Sequence, residues 1–150
     1  MISRFQAWAI NLIGLFKDIV RNTFYYGKER FCPICGKSSR QFRSFGAVPR
    51  KDAQCPHCGS LERHRFLWLY LSRKTNLFNG KVKKMLHVAP ELCLESTFKK
   101  RLGDNYLTAD LFDSHATIKM DITNIQYPDQ SFDVIYCSHV LSMSMMTRKP

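Results

Sequence analysis

Apolar residues recur at helical spacing along the first part of the chain. Over residues 2–24 they occupy one broad face and predict an amphipathic helix. The residues of this face are Phe5, Trp8, Leu12, Leu15, Phe16 and Ile19. A second apolar stretch follows Ser60 and predicts a helix at about 61–77, ended by a break in which Gly80 supplies the turn. The residues between these helices, 26–60, have a pattern typical of loops and hairpins.

The pattern changes after residue 80, where short apolar runs alternate with helical or loop segments. It predicts strands at 83–89, 105–111, 116–122 and 131–141, and a helix at 91–103. Strands that alternate with crossover segments indicate a parallel sheet, so the predicted fold class is α/β. We expect three regions: the amphipathic helix (1–25), a cysteine-containing module with its linking helix (26–80), and the α/β part (81–150).

The formal net charge of +11 is distributed unevenly. Residues 1–80 contain 14 Lys and Arg against 4 Asp and Glu, whereas residues 81–150 contain 9 against 8. The basic half can contact a nucleic acid, a membrane surface or another anionic partner, and it can equally be a solvated surface.

The first predicted helix also bears on targeting. Its run of 12 residues without formal charge, from Phe5 to Phe16, is too short to span a bilayer, and no small-residue cleavage site follows it. We therefore predict no transmembrane segment and expect the helix to pack on the protein's own body. Peripheral contact with a membrane interface is the alternative.

Four of the six cysteines form two C-x-x-C pairs, in the sequences CPICG and CPHCG. The spacing C-x2-C-x19-C-x2-C lets both thiolates of each pair face one ion, and Gly36 and Gly59 follow where a tight knuckle needs a positive φ. The predicted ligands of a structural Zn2+ in a zinc ribbon are Cys32, Cys35, Cys55 and Cys58. Metal-site spacing, in place of a disulfide framework, predicts a reducing compartment and hence the cytoplasm.

Several polar residues in and after the second knuckle can have structural roles in place of metal or ligand binding. His57 is predicted to be a surface residue, and Ser60 is predicted to cap the following helix. The cluster Arg63, His64 and Arg65 can bind an anion or can form an ordinary exposed first turn.

Acidic residues stand where predicted strands end. Asp110 follows Pro90 by 20 residues, a position from which a carboxylate can hold both hydroxyls of a ribose. Asp121 with Ile122 can take the exocyclic amine of a purine and flank its ring. In this order they favour a nucleoside pocket over separate strand-end caps, although the loop after the first strand lacks glycine.

The motifs CPICG, CPHCGSLERHR, LHVAPE, ADL and MDITNIQYPDQSFDVIYCSHVL occur in this order over roughly residues 24–141. They resemble the class I S-adenosylmethionine-dependent methyltransferases that carry an N-terminal zinc ribbon. The resemblance implies a Rossmann-like domain, of which this chain holds the first half, about four strands. It implies S-adenosyl-L-methionine as cofactor, beside the Zn2+ of the ribbon.

The resemblance also implies cofactor-binding residues. Ala89, Pro90 and Glu91 would line the methionine end, Asp110 would bind the ribose, and Asp121 with Ile122 would hold the adenine. The A-P-E loop departs from the glycine-rich form of these enzymes generally and is similar to the version in this subgroup. The fourth strand directs Ser138 and His139 at the same edge, and no catalytic base is assigned.

The end of the chain departs from the resemblance. After the sequence SHVL, an acidic stretch and a helix are expected, and the chain has Ser-Met-Ser-Met-Met-Thr at 142–147. Codons such as AGC-ATG-TCG-ATG-ATG-ACC, preceded by G and read one base earlier, encode Glu-His-Val-Asp-Asp-Asp. We therefore expect a frameshift near Leu141 and a truncated product. The resemblance implies a seven-stranded sheet, so this product is expected to lack most of the acceptor pocket and its activity.

Two function classes follow. The first is a methyltransferase with an unknown acceptor, which can be a small molecule, a saccharide or a nucleic acid. The second is a zinc-ribbon module that binds nucleic acid without catalysis. Three phenylalanines beside Arg40 and Arg43 suit base stacking and suit a small ribbon core equally; they are Phe31, Phe42 and Phe45.

Overall fold

The structure is a computed structural model that describes residues 4–138. The chain divides into two compact units, the first ending at Phe66 and the second beginning at Leu67. The sequence-based boundaries at residues 25 and 80 stay a prediction.

The first unit begins with helix α1, Arg4–Phe24. Two antiparallel hairpins follow it: β1 (Arg30–Phe31) with β2 (Ser38–Ser39), and β3 (Arg43–Phe45) with β4 (Arg50–Gln54). Helix α2, Glu62–Lys74, comes after the second hairpin. The predicted helices and the predicted loop–hairpin region therefore appear where the sequence places them.

Asp52 links the two hairpins. It adopts a φ of 55°, a left-handed conformation that Asp tolerates better than most residues. Its Oδ1 accepts a hydrogen bond from the Phe42 backbone N–H at 2.7 Å, and its Oδ2 accepts from the Arg30 guanidinium at 3.1 Å. The Phe42 N–H, and after it Arg30, hold the pKa of this carboxyl below its usual value.

The second unit is an α/β sheet. Its elements are β5 (Met85–Val88), α3 (Leu92–Leu102), a short 3-10 helix (Gly103–Asn105), β6 (Tyr106–Asp110), β7 (Ile118–Lys119) and β8 (Val134–Cys137). The four strands are all parallel, in the order β7-β6-β5-β8. This sheet confirms the predicted α/β class and is consistent with the first half of a Rossmann-like fold.

Strand β5 lies at the centre of the sheet and is buried on both faces. On one face Leu86 and Val88 pack with Ala109 and Met120. On the other face His87 contacts the ring of Phe98 from α3, with centroids 5.7 Å apart. A strand covered on both sides is mainly apolar, and β5 is apolar except for His87.

Strand β7 is shorter than predicted. The expected strand covered 116–122, and the observed one contains two residues. Pairing ends after the Met120 N–H donates to the Asp110 carbonyl, because Asp121 then forms a turn with the Thr123 N–H. Turn formation by an Asp side chain thus competes with the strand pattern.

Helix α1 differs from its expected role. Its apolar side chains were expected to pack on the protein's own body, and those that the structure describes are largely exposed. Among the described residues, no helix is both long and apolar enough to cross a bilayer.

Candidate functional site

The two C-x-x-C sequences form matching knuckles in the first unit. In the first, the Gly36 N–H donates to the Cys32 carbonyl at 2.9 Å; in the second, the Gly59 N–H donates to the Cys55 carbonyl at 3.0 Å. Gly36 and Gly59 have φ values of 70° and 73°, which glycine adopts without the steric penalty of a Cβ. Each knuckle therefore turns tightly enough to direct two sulfurs the same way.

The four cysteines come together as predicted. Their sulfurs all lie within 4.8 Å of one another. Cys32 Sγ lies 3.7 Å from Cys58 Sγ, and Cys35 Sγ lies 3.8 Å from Cys55 Sγ. A tetrahedral zinc with Zn–S bonds of about 2.3 Å requires sulfurs about 3.8 Å apart. The cluster therefore has the size and the donor set of a four-thiolate metal site.

The thiols strongly perturb one another. Hydrogen bonding to Cys35, and then to Cys55, holds the pKa of Cys32 far below its ordinary value, while hydrogen bonding to Cys32 raises the pKa of Cys35. Four sulfurs this close share their protons unequally, and a divalent cation replaces those protons with a single central charge.

Ser60 lies beside the metal cluster. It is fully buried, and its Oγ lies 3.3 Å from Cys32 Sγ and 3.2 Å from Cys58 Sγ. The prediction that Ser60 caps the following helix is therefore wrong. The backbone N–H of Leu61 instead donates to His64 Nδ1 at 3.2 Å, so His64 supplies the acceptor at the start of α2.

Two further predictions beside the knuckles need correction. His57 was expected at the surface; it is partly buried, and its Nε2 lies 3.1 Å from the hydroxyl of buried Ser39. The Arg63–His64–Arg65 cluster does not form, because His64 is buried and Arg65 donates to the carbonyls of Ala53 and Ser60. Arg63 is exposed, and anion binding by this segment stays a prediction.

The second candidate site lies at the carboxyl edge of the parallel sheet. The chain proceeds from β5 to β6 and β7 on one side, and β8 returns to the other side of β5. The strand order therefore reverses between β5 and β8. In open α/β sheets, ligands bind outside the carboxyl ends of the strands at such a reversal.

The loop after β5 has a strained start. Ala89 adopts a φ of 50°, an unusual conformation for a residue with a Cβ, while its N–H donates to the Ala109 carbonyl at 2.8 Å. Pro90 follows, and α3 begins directly after Glu91. Backbone strain that the surrounding pairing enforces is typical of ligand-binding loops.

Glu91 is held by a chain of buried hydrogen bonds. His87 Nε2 lies 2.8 Å from Glu91 Oε2, and His87 Nδ1 lies 2.7 Å from the Tyr106 hydroxyl. A carboxylate only accepts, so Nε2–H donates to Glu91, and a neutral imidazole then accepts from Tyr106 at Nδ1. His87 is fully buried, which fixes the direction of the Glu91 side chain.

Burial and hydrogen bonding have opposite effects on Glu91. Desolvation is the larger single effect and acts to raise the pKa of its carboxyl. Hydrogen bonds from His87, from the backbone N–H of Glu91 and from Ser138 act in the opposite direction, and the pKa lies below its usual value. Glu91 is therefore an anion near neutral pH, with 17% of its side chain exposed to the edge of the sheet.

Asp110 ends β6 and forms a turn. Its Oδ1 accepts from the backbone N–H groups of Phe112 at 2.7 Å and Asp113 at 2.9 Å. The strand-end cap and the ribose ligand were the alternatives from the sequence. Because both hydrogen bonds fall on Oδ1, the turn does not require Oδ2, and the two roles are compatible.

Asp121 and Ile122 follow β7. Asp121 is exposed, and its Oδ1 accepts from both the N–H and the hydroxyl of Thr123 at 2.8 Å. The Thr123 N–H, as the larger effect, and the Thr123 hydroxyl hold the pKa of Asp121 below its usual value. Ile122 packs against the core of the sheet and is partly buried. Their assignment to adenine stays a prediction.

Ser138 directly follows β8, and it contributes to lowering the pKa of Glu91. Residues from the ends of β5 and β8 therefore meet where the strand order reverses, as predicted for Ser138. His139 and the stretch 142–147, on which the frameshift hypothesis rests, lie outside the described residues.

The sequence analysis did not predict the hydrogen bonds that connect Tyr106, His87 and Glu91. The i, i+4 spacing of His87 and Glu91 was their one visible signal, and that spacing indicates contact in a helix rather than across a strand end. Tyr106 comes from the neighbouring strand, opposite Met85, so only the register of β5 and β6 reveals it.

The comparisons with known proteins agree with the sheet. Residues 84–149 match the family described as methyltransferase domain. No curated protein and no solved structure gives a significant match to the chain. The matched segment contains β5, α3, β6, β7 and β8, with the acidic residues at their carboxyl edge. The match covers 66 of the 150 residues, so the similarity to this family concerns the α/β part of the chain.

Proposed function

We propose that the chain is an S-adenosylmethionine-dependent methyltransferase whose acceptor is unknown. The observation that carries the proposal is the carboxylate of Glu91, held 2.8 Å from His87 Nε2 where the strand order reverses, within the segment that matches the methyltransferase family. When bound, S-adenosylmethionine supplies a methyl group already activated on a sulfonium.

The protein's part is to bind and orient the cofactor. Glu91 presents a carboxylate suited to the α-ammonium of the methionine moiety, beside the backbone of Ala89 and Pro90. Asp110 Oδ2 suits the ribose hydroxyls, and Asp121 with Ile122 suits the adenine. Methyl transfer of this kind depends mainly on alignment of the two reactants, and we assign no catalytic base.

We further propose that Cys32, Cys35, Cys55 and Cys58 hold a structural Zn2+. Four thiolates close the coordination shell and leave no position for a reacting water, so this ion would support folding and would not enter the chemistry. Two C-x-x-C pairs with metal-site spacing, in place of a disulfide framework, support a reducing compartment and hence the cytoplasm.

Binding is the sharper test than turnover. A turnover assay needs a methyl acceptor, and none is assigned, whereas a binding assay needs only the demethylated cofactor. Isothermal titration should give saturable binding of S-adenosylhomocysteine. Asp110→Asn keeps an oxygen for the turn at Phe112 and Asp113 but removes the charge, and it should weaken binding about tenfold or more.

The matched control is Asp129→Asn, which removes the same charge at an exposed position. It should leave the dissociation constant unchanged. If the wild-type chain, with its circular dichroism intact, gives no saturable binding, or if both variants bind equally well, the cofactor assignment is wrong.

The second candidate is a zinc-ribbon module that binds nucleic acid. Phe31 and Phe45 are exposed, as are Arg40 and Arg43, whereas Phe42 is buried beneath the Arg65 guanidinium. Exposed rings among arginines can stack on unpaired bases. Retention of single-stranded RNA that falls steeply with salt, and that Phe31→Ala and Phe45→Ala abolish, would favour this candidate.

A further inference from the structure

Helix α1 presents a broad apolar surface to the solvent. Eight of its large apolar side chains are each between 51 and 67% exposed; they are Trp8, Leu12, Ile13, Leu15, Phe16, Ile19, Val20 and Phe24. Helical spacing puts most of them on one side of a 21-residue helix. A large apolar surface that faces water marks a contact surface.

An apolar groove lies at the C-terminal end of this surface. Its volume is about 380 Å3, and its lining residues are Phe16, Val20, Arg21, Phe24, Tyr25 and Arg43. The Arg40 guanidinium lies 4.8 Å from the centroid of the Phe24 ring, and the Arg43 guanidinium lies 5.6 Å from that of Tyr25. Apolar walls bordered by exposed guanidinium groups match the two parts of a phospholipid, its acyl chains and its phosphate.

The charge of this region decides between two occupants. Among residues 1–45, eight are Lys or Arg and two are Asp or Glu. A second copy of the chain would bring two strongly basic surfaces face to face, which like-charge repulsion opposes. An anionic lipid surface is complementary to the same charges.

We propose that α1, with Arg40 and Arg43, forms a docking surface for an anionic lipid bilayer. The helix lies in the plane of the interface, with its apolar side chains among the upper acyl chains and the two guanidinium groups at the phosphates. Trp8 provides an amphipathic ring suited to this depth.

Vesicle flotation tests the proposal directly. The whole chain is mixed with phosphatidylcholine vesicles that contain about 30 mol% phosphatidylglycerol, and separately with pure phosphatidylcholine vesicles. Flotation is expected with the anionic vesicles and is expected to weaken as salt rises. Trp8 should show a blue-shifted emission that brominated acyl chains quench, and Trp8→Phe should remove this change while flotation persists.

Two matched variants separate insertion from simple charge attraction. Phe16→Glu places a charge on the apolar surface and should lower the partition coefficient about tenfold or more. Asn22→Glu adds the same charge at an exposed polar position of the same helix and should have a much smaller effect. Helix content measured by circular dichroism checks that both variants fold alike, and Ile19→Asn serves as a second, uncharged variant.

Three results would overturn the proposal. The first is no flotation with anionic vesicles at low salt. The second is flotation that Phe16→Glu and Asn22→Glu weaken equally, since charge alone would then account for it. The third is self-association in the absence of lipid that Phe16→Glu abolishes, because the apolar surface would then be an interface between copies.

Discussion

Buried polar side chains hold the candidate ligand groups of both sites in position. Ser60 Oγ contacts two of the four sulfurs, and His87 Nε2 contacts the carboxylate of Glu91. Ser60 and His87 are both buried, so each group's direction is set by its partners rather than by water. At this scale, the effect of a substitution depends on whether it leaves a ligand group without its hydrogen bond.

Ser60→Ala tests the support of the thiolates. The hydroxyl can donate to thiolates that a metal holds, so its loss should lower zinc affinity about tenfold to a hundredfold. Competition with a chromophoric chelator measures the change. Ser44→Ala, at an exposed position of β3, should leave the affinity unchanged, and equal affinities for both variants would contradict a role for Ser60.

The lowered pKa of Glu91 makes a prediction about acid stability. A depressed pKa in the folded state stabilises the fold above the pKa of the unfolded carboxyl, near 4.3, and this contribution is lost as pH falls through the folded value. Glu91→Gln has no such titration. The unfolding free energy of the wild type relative to Glu91→Gln should therefore be constant above about pH 5 and should decrease below it.

Urea unfolding of both proteins between pH 7 and pH 3, at about half-unit steps, measures this difference. Glu95→Gln is the control, since it removes a carboxylate from the helix that follows Glu91 and keeps the contact between His87 and Glu91. A wild-type chain that gains stability over Glu91→Gln on acidification would indicate a raised pKa and would contradict the hydrogen bond from His87.

Among the elements, α3 covers one face of the sheet through an aromatic cluster. Phe98 is fully buried, and its ring lies 5.9 Å from that of Trp68 and 5.8 Å from that of Tyr106. The same cluster contains His87, so the packing of α3 also holds the side chain that orients Glu91.

Phe98→Ala should destabilise the second unit by about 3–5 kcal/mol, because it removes a buried ring and leaves a cavity. Leu92→Ala on the same helix is the control, since Leu92 is 73% exposed and should cost little. Urea unfolding followed by near-ultraviolet circular dichroism measures both. Equal decreases in the free energy of unfolding for the two variants would mean that α3 does not pack on the sheet through Phe98.

Periodicity predicted most elements, and it failed where side chains compete with backbone pairing. The helices and strands appear in the expected order because spacing, glycine turns and alternation act over a few residues. Strand β7 ended early because Asp121 forms a turn, and the start of α2 uses His64 in place of Ser60. The role expected of α1 was wrong because its periodic apolar face indicates a contact but not the partner.

For the whole molecule, the two units should respond differently to metal removal. The hairpins of the first unit are short, and the sulfur cluster joins the loop between β1 and β2 to the knuckle after β4, so zinc should supply much of their folding free energy. The sheet has its own core of Leu86, Val88, Ala109 and Met120.

A strong chelator should therefore unfold β1–β4 and move their amide signals to random-coil positions. The amide signals of β5 and β6 should stay in place. Heteronuclear NMR of the whole chain measures this, and added Zn2+ should restore the spectrum. Cys93→Ser, outside the cluster, should behave as the wild type does. Loss of the sheet signals on chelation would contradict two separately stabilised units.

The frameshift near Leu141 stays a prediction. The DNA sequence from the codon of Val134 onward tests it, since the shifted frame should encode Glu-His, an acidic stretch and further strand–helix alternation. An open frame without these features would contradict it.

The sequence by itself determined the chemistry of the candidate ligands and the order of the elements. Thiolate spacing, knuckle glycines and acidic residues at strand ends are local features, and their meaning does not depend on distant contacts. Only the tertiary structure decided which side chains hydrogen-bond to these ligand groups and which surfaces are buried. Ser60 meets Cys32 across 28 positions, and Tyr106 meets His87 across 19. Such pairs, like the exposure of α1, depend on the packing of distant segments, which no local pattern encodes.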